Sequence, residues 1–149
     1  EMAHEVRELV ERVAYAVGVD CRVTVEEGEE LITAVCTGHD LGLLIGRHGQ
    51  TIDSIQYLAN AIAWRRHPDD RKEVVVDAAG YRERRRATLE SLALRSAQEA
   101  ISQQGPVELE PMTAVERKVV HLRLKEVPGV ETTSEGTEPN RFVVVLPAE

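Results

Sequence analysis

The sequence predicts an α+β chain of two small domains. Three observations lead there. A chain of 149 residues has room for one ordinary domain or two small ones. Its first half alternates between helical and strand periodicity around a Gly-x-x-Gly loop at residues 46–49. Its second half starts with a long helical stretch, breaks at Gly105-Pro106, and resumes as a capped helix followed by two strands. We therefore expect one domain over residues 1–79 and a second over residues 80–149, which includes the long leading helix.

Residues 2–17 read as a helix, with Val6, Leu9, Val10, Val13, Ala14 and Val17 at helical spacing and Gly18 as the stop. Residues 20–26 alternate Cys21, Val23 and Val25 against Arg22, Thr24 and Glu26, the pattern of a half-buried strand. A turn at Glu27-Gly28-Glu29-Glu30 leads to a second strand at 31–37, making a hairpin. A short helix at 41–45 enters the loop, and a long helix at 50–66 leaves it. Ile52, Ile55, Leu58, Ala59, Ile62 and Ala63 are its expected buried stripe. Arg65, Arg66 and His67 suit its C-terminal dipole, and Pro68 ends it. Residues 73–78 form a third strand.

Residues 81–103 form another long helix, with Tyr81, Leu89, Leu92, Ala93, Ala97, Ala100 and Ile101 as apolar contacts. Arg82, Arg85 and Arg86 line its first turns. They read either as a solvated face partnered by Glu83 and Glu90 or as an extension of a basic surface. Val107–Leu109 is a short strand. Thr113-Ala114-Val115-Glu116 reads as a capping box, Thr113 at the N-cap and Glu116 three residues on. Val115, Val119, Val120, Leu122 and Leu124 are the expected apolar positions of that helix. Strands at 130–134 and 141–146 flank a turn at 135–140.

The net charge is −8, which argues against non-specific nucleic-acid binding until it is divided along the chain. Residues 1–40 carry 3 basic and 10 acidic groups, residues 41–86 carry 9 and 6, and residues 87–149 carry 6 and 10. The basic excess surrounds and follows the loop. Exposed charges more than about 8–10 Å away are largely screened at physiological salt, so a local basic patch can still meet phosphates. No apolar run is long enough to span a bilayer, and the start has neither a basic nor an apolar leader region. Two cysteines make no secreted disulfide framework, so the expected compartment is a reducing cytoplasm. The opening Glu1 suggests a piece of a longer protein.

Residues 43–52, Leu-Leu-Ile-Gly-Arg-His-Gly-Gln-Thr-Ile, organise the first domain. Two glycines without Cβ let the backbone approach a ligand closely. The next helix turns its free N–H groups and positive dipole end to the same spot. Gly42, Gly46 and Gly49 do not match a dinucleotide fingerprint, and no Lys-Ser or Lys-Thr pair follows to make a P-loop. With Ile45 before the loop and Ile52 after it, the stretch resembles a KH domain, whose GXXG loop clamps single-stranded nucleic acid. The order helix, strand, strand, helix, GXXG, helix, strand resembles the type II arrangement of bacterial KH domains. A type I domain would put the extra strand and helix after the core.

Arg117 and His121 stand four apart on the capped helix and share a face, with Lys118 beside them and Lys125 beyond. Together with Ser134, Gly136, Pro139 and Arg141 this pattern resembles the R-3-H domain, which binds single-stranded nucleic acid. A type II KH domain followed by an R-3-H domain resembles the bacterial Jag family of SpoIIIJ-associated, KhpB-like proteins, over about residues 5–147. Members often carry a further N-terminal Jag domain, which is not in this chain.

The resemblance implies a non-catalytic RNA-binding protein without cofactor or metal. Gly46, Arg47, His48, Gly49 and Gln50 would contact nucleic acid in one domain, and Arg117, Lys118, His121 and Arg141 in the other. It further implies a post-transcriptional role tied to cell elongation, division or sporulation. The implied partners are single-stranded RNA, a second copy or a small KH-only protein docking at Leu43 or Leu44, and a YidC-type membrane insertase that would bring the protein to the inner face of the membrane. Two alternatives stand beside it: an adaptor with little RNA binding, and a nuclease using His121 as a base. The nuclease lacks paired carboxylates near His121. Cys36-x-x-His39 with Cys21 imitates a zinc site, but its strand setting favours core residues.

Overall fold

Val6, Val10 and Ala14 recur every three to four residues and are buried together along α1 (Met2–Val17). The computed structural model describes all residues, 1–149. They divide into two units, Glu1–Arg82 and Glu83–Glu149.

In the first unit α1 ends at Gly18, whose φ of 88° lets its N–H reach back to the Ala14 and Tyr15 carbonyls. Then come β1 (Cys21–Glu27), β2 (Leu31–Gly38), α2 (Gly42–Ile45), α3 (Gln50–Arg66) and β3 (Glu73–Ala78). The sheet order is β1-β2-β3. β1 and β2 are an antiparallel hairpin in the register Val23 opposite Cys36. β2 and β3 are parallel, with Ile32 opposite Val74. Parallel neighbours need a crossover, and here it is α2, the loop and α3, so the loop is held at both ends by packed elements. Val10, Ile32, Leu44, Ile52, Val74 and Val76 are fully buried in the core beneath. Each such side chain contributes roughly 1.5–3 kcal/mol. Leu58, expected in the buried stripe of α3, is exposed, and Ile62 is half-buried. The stripe consists of Ile52, Ile55, Ala59 and Ala63 instead.

Polar side chains line the outer edge of β3. Asn60 donates from Nδ2 to the Val74 carbonyl and accepts the Val74 N–H at Oδ1, both at 2.8 Å. Gln56 Oε1 accepts the Val76 N–H at 3.0 Å, and Arg82 Nε donates to the Val76 carbonyl at 2.9 Å. Trp64 Nε1 donates to the Lys72 carbonyl. The two amides replace a missing neighbour strand and seal an edge that would otherwise template another chain.

α4 (Tyr81–Gln103) starts in the first unit, where Tyr81 packs against the core, and runs on into the second. There it is followed by β4 (Val107–Glu108), α5 (Ala114–Lys125), β5 (Val130–Glu135) and β6 (Phe142–Pro147). The strands pair antiparallel in the order β4-β6-β5. Leu89, Ala93, Ala97 and Ala100 of α4 meet Val120 and Leu124 of α5 and Val143 and Val145 of β6. Ile101, expected inside, is exposed. The larger difference is on α5. Val115 and Leu122 are 76% and 56% exposed, and the buried face is Glu116, Arg117, Val120 and Leu124. The expected stripe took the apolar residues at face value, whereas the helix is rotated so that two charged residues go inward, each with a partner.

Candidate nucleic-acid interface

Ile45 ends α2, and the Gly46 N–H donates back to the Gly42 carbonyl at 2.8 Å. Gly46 then takes φ 76° and ψ 177°, a region open in practice to glycine alone. A Cβ there would collide with Thr51 Oγ1 and lie 2.8 Å from Thr51 Cβ. Gly49 is also left-handed, at φ 75°, and a Cβ on it would come within 2.6 Å of the Tyr81 ring. The loop therefore needs glycine twice, against two different neighbours. Arg47 and His48 between them are exposed, and His48 itself is left-handed at φ 54°. Gln50, exposed, begins α3, whose first turn has no side-chain cap. The Gln50 N–H is taken by the Arg47 carbonyl, and the helix turns its positive dipole end to an anion beside Arg47 and His48.

Asp53 lies in that first turn and would repel a phosphate. Arg82 Nη1 holds its carboxylate at 2.8 Å and offsets the charge. The remaining arginines are less available than the sequence suggests. Arg85 Nε binds Glu116 Oε2 at 2.5 Å, and Arg86 binds both oxygens of Glu83. Arg65 and Arg66 lie at the far end of the 17-residue α3, about 25 Å from the loop at 1.5 Å per residue. That is well beyond the screening length of roughly 8 Å. The basic excess of residues 41–86 is thus spread out, and Arg47 carries the loop's own fixed charge. Two surface clefts of this unit share Asp20 and Cys21, and no loop residue lines either, while Arg47, His48 and Gln50 are exposed. The loop is an open surface, suited to a chain-like ligand.

In the second unit the cap is half of the expected box. Thr113 Oγ1 accepts the Glu116 N–H at 3.3 Å, but the Glu116 carboxylate goes to Arg85 rather than back to the cap. Arg117 and His121 do share a face, and it turns inward. Arg117 is 7% exposed; Nη1 donates to the Met112 carbonyl at 2.7 Å and Nη2 to Glu138 Oε1 at 2.6 Å. His121 is half-buried, Nδ1 2.7 Å from Thr132 Oγ1 and Nε2 2.8 Å from Ser134 Oγ. Hydroxyls donate or accept, so a neutral ring is satisfied at both nitrogens. Burial first, and the Arg117 charge second, push the His121 pKa below its ordinary value. Arg141 donates to the Gly136 carbonyl at 2.7 Å and to the Ser134 carbonyl at 3.3 Å. Arg117 and His121, both expected to contact nucleic acid, bond here to the protein's own groups. They fasten α5 to the β5–β6 hairpin, while Lys118 on the next position is exposed.

The sequence reading missed Thr132 as a His121 partner and Glu138 as the Arg117 partner. The signal for both was present: hydroxyls at every second residue of a strand facing a helix histidine, and a glutamate in the turn facing an arginine. Leu44, one of two expected partner contacts, is fully buried; Leu43 is 66% exposed and remains. The Cys36 thiol is buried in the core, and burial pushes its pKa up to about 12, which keeps it protonated and unlike a metal thiolate.

The fold defines a type II KH unit joined to a small R-3-H unit. Comparison with known families agrees: the KhpA/KhpB KH-domain model matches residues 4–77, and the R-3-H-domain model matches residues 87–147. The chain belongs to the family that joins these two domains. It is similar to proteins named RNA-binding protein KhpB. That of Clostridium symbiosum is 39% identical over 140 residues, covering 93% of this chain and 63% of the relative. That of Lactiplantibacillus plantarum is 41% identical over 133 residues, 89% and 41% of the two chains. That of Bacillus subtilis is 34% identical over 138 residues, 91% and 66%. The chain thus spans less than two thirds of the length of these curated relatives.

Proposed function

We propose that this chain is a non-catalytic RNA-binding protein that holds single-stranded RNA chiefly at the GXXG loop. The observation that carries the reading is the loop itself. Arg47 and His48 stand exposed between two glycines, over the uncapped N-terminus of α3. In the R-3-H unit, Lys118 is the residue free to reach a phosphate. Arg117, His121 and Arg141 act as positioning residues for the surface that carries it. The names of the relatives support the same ligand class. Two weak sites on one chain raise apparent affinity through effective concentration.

The reading as a binding protein rather than a nuclease is supported by His121, whose ring nitrogens both face hydroxyls. A general base needs a nitrogen aimed at its substrate. The finer roles rest on the family: a post-transcriptional part in cell elongation, division or sporulation, a small KH-only partner at Leu43, and proximity to a YidC-type insertase. No helix is long and apolar enough to cross a membrane, so an insertase contact would run through a partner surface.

The test is anisotropy of a short labelled single-stranded RNA with the full chain. Arg47→Asp/His48→Asp keeps both glycines, so the melting temperature should hold. Affinity should fall at least about tenfold, which is ~1.4 kcal/mol. Unchanged affinity removes the loop from binding. Leu43→Ser, which adds no charge beside the loop, should leave RNA affinity intact and weaken the KH-only partner.

A further inference from the structure

The rotation of α5 that buries Glu116 and Arg117 has an outward counterpart. Val115, 76% exposed, Val119, half-buried, and Leu122, 56% exposed, lie at i, i+4 and i+7 on one outer line of the helix. The line is about 10 Å long at 1.5 Å per residue. Rolling the helix to hide it would break the Arg117 bonds to the Met112 carbonyl and Glu138, and the Glu116 bond to Arg85. Apolar residues exposed singly are ordinary, whereas a continuous helical line of them marks a contact surface.

The charges beside this line are of one sign. Lys118 and Lys125 stand one turn before and one turn after Leu122, on the same side of it; both are exposed and neither is ion-paired. The carboxylate at the end of the line, Glu126, is held by Arg123 at 3.8 Å. In a segment, residues 87–149, that carries 10 acidic and 6 basic groups, this face is cationic. The pattern selects its occupant. Aliphatic side chains spaced in this way pack into the grooves of a second helix. Lysines bordering such a seam pair with glutamates of the facing helix. Single-stranded nucleic acid gains most from aromatic faces on which its bases stack, and the line has none.

We infer that the outer face of α5 is a docking site for an acidic amphipathic helix of a partner protein, which packs along Val115, Val119 and Leu122 and sets carboxylates against Lys118 and Lys125. The inference does not depend on RNA binding. Where Lys118 also serves a phosphate, the docked helix and RNA exclude one another at that residue.

Anisotropy of a labelled probe peptide with the full chain tests it. The probe is an amphipathic helix of about 14 residues, with leucines along one face and glutamates bordering them; a control peptide carries lysines in place of the glutamates. The glutamate peptide should bind with a Kd at or below about 100 μM, and the lysine peptide at least about tenfold more weakly. Val115→Gln/Leu122→Gln and Lys125→Glu should each weaken the glutamate peptide at least about fivefold. These positions are exposed and glutamine keeps helix propensity, so far-UV circular dichroism should be unchanged. Tyr15→Gln and Arg22→Glu, which remove an exposed aromatic and an exposed cation from the first unit, should leave peptide binding as it is. No binding of the glutamate peptide at about a millimolar overturns the inference. So does indifference to the α5 variants, or an equal loss in the two first-unit controls. Dimerisation of the chain, or binding to anionic vesicles, that is abolished by Val115→Gln/Leu122→Gln would give the face another occupant and overturns it too. Short single-stranded RNA should bind Val115→Gln/Leu122→Gln as it binds the wild type; an RNA loss there with the peptide unaffected assigns the face to RNA instead. Failure of the RNA function proposed above is read separately, at Arg47→Asp/His48→Asp.

Discussion

The Arg117 guanidinium joins the Met112 carbonyl, at 2.7 Å, to the Glu138 carboxylate, at 2.6 Å, across a buried position of α5. Glu138 is 58% exposed at its side chain, so the ion pair alone is screened and modest. The buried carbonyl is not. Arg117→Ala orphans it, and the cost should be about 1–3 kcal/mol. Urea unfolding of the full chain should show the loss. Arg117→Lys should recover part of it, since one ammonium does not span both acceptors as the planar fork does. An unshifted unfolding curve for Arg117→Ala would show that the network contributes nothing.

The same residue shows where sequence reading reaches and where it stops. The GXXG loop was legible because glycine has few other reasons to recur there and because strands and helices flank it in a fixed order. Its two requirements, Thr51 behind Gly46 and Tyr81 behind Gly49, were not, since they depend on tertiary proximity. On α5 two stripes were available. Val115, Val119 and Leu122 look apolar, whereas the buried stripe hides behind Glu116 and Arg117. A charged residue announces burial only through its partner, and Arg85 and Glu138 lie 31 and 21 residues away. The spacing of Arg117 and His121 correctly put them on one face, but spacing does not say which way a face points.

His121 sets a pH dependence. Its folded pKa is lowered by burial, so the unfolded chain binds the proton more readily. The stability it contributes is complete above the unfolded value of roughly 6.5 and is lost as pH falls below it toward the folded pKa. The unfolding free energy should therefore decline below about pH 6.5, and His121→Gln should flatten part of that decline. RNA affinity gained through protonation of His121 is not expected. A wild type whose stability rises on acidification from about pH 7 to about pH 5.5, with the rise abolished in His121→Gln, would contradict the neutral ring.

Gly49→Ala combines two penalties. A left-handed φ of 75° costs an alanine about 1–2 kcal/mol. The new methyl also meets the Tyr81 ring, with the nearest carbon at 2.6 Å. The variant should lose more stability than backbone strain accounts for. In a Tyr81→Ala background the same change should cost only about the strain term, giving a coupling of about 1 kcal/mol or more, as a double-mutant cycle reads it. Additive effects would mean that the ring moves aside freely and that Gly49 is required by its conformation alone.

Asn60 offers the sharpest test of the sealed β3 edge. Its amide matches the Val74 backbone in both directions, donor to carbonyl and carbonyl to N–H. Asn60→Asp keeps the shape and the acceptor but loses the donor. At neutral pH a carboxylate oxygen then faces the Val74 carbonyl, like against like, in a half-buried site. Asn60→Ala removes both bonds, and the Nδ2 bond to the Gln56 carbonyl, without that repulsion. Asn60→Asp should therefore be the less stable of the two at about pH 7, by an amount on the order of 1 kcal/mol, with both below the wild type. The sign reverses with acid. A protonated carboxyl regains a donor, so the folded pKa of the new acid is raised above its unfolded value near about 3.9. Relative to Asn60→Ala, which has no group to titrate, the acid variant should gain stability as pH falls through that raised pKa, and the gain should be complete once the unfolded value is passed. Parallel urea titrations of the two variants from about pH 7 to about pH 4 measure the difference directly, with every other titrating group common to both. A difference that stays constant across that range would mean that the position 60 side chain does not face the Val74 carbonyl, and that the β3 edge is closed by some other means.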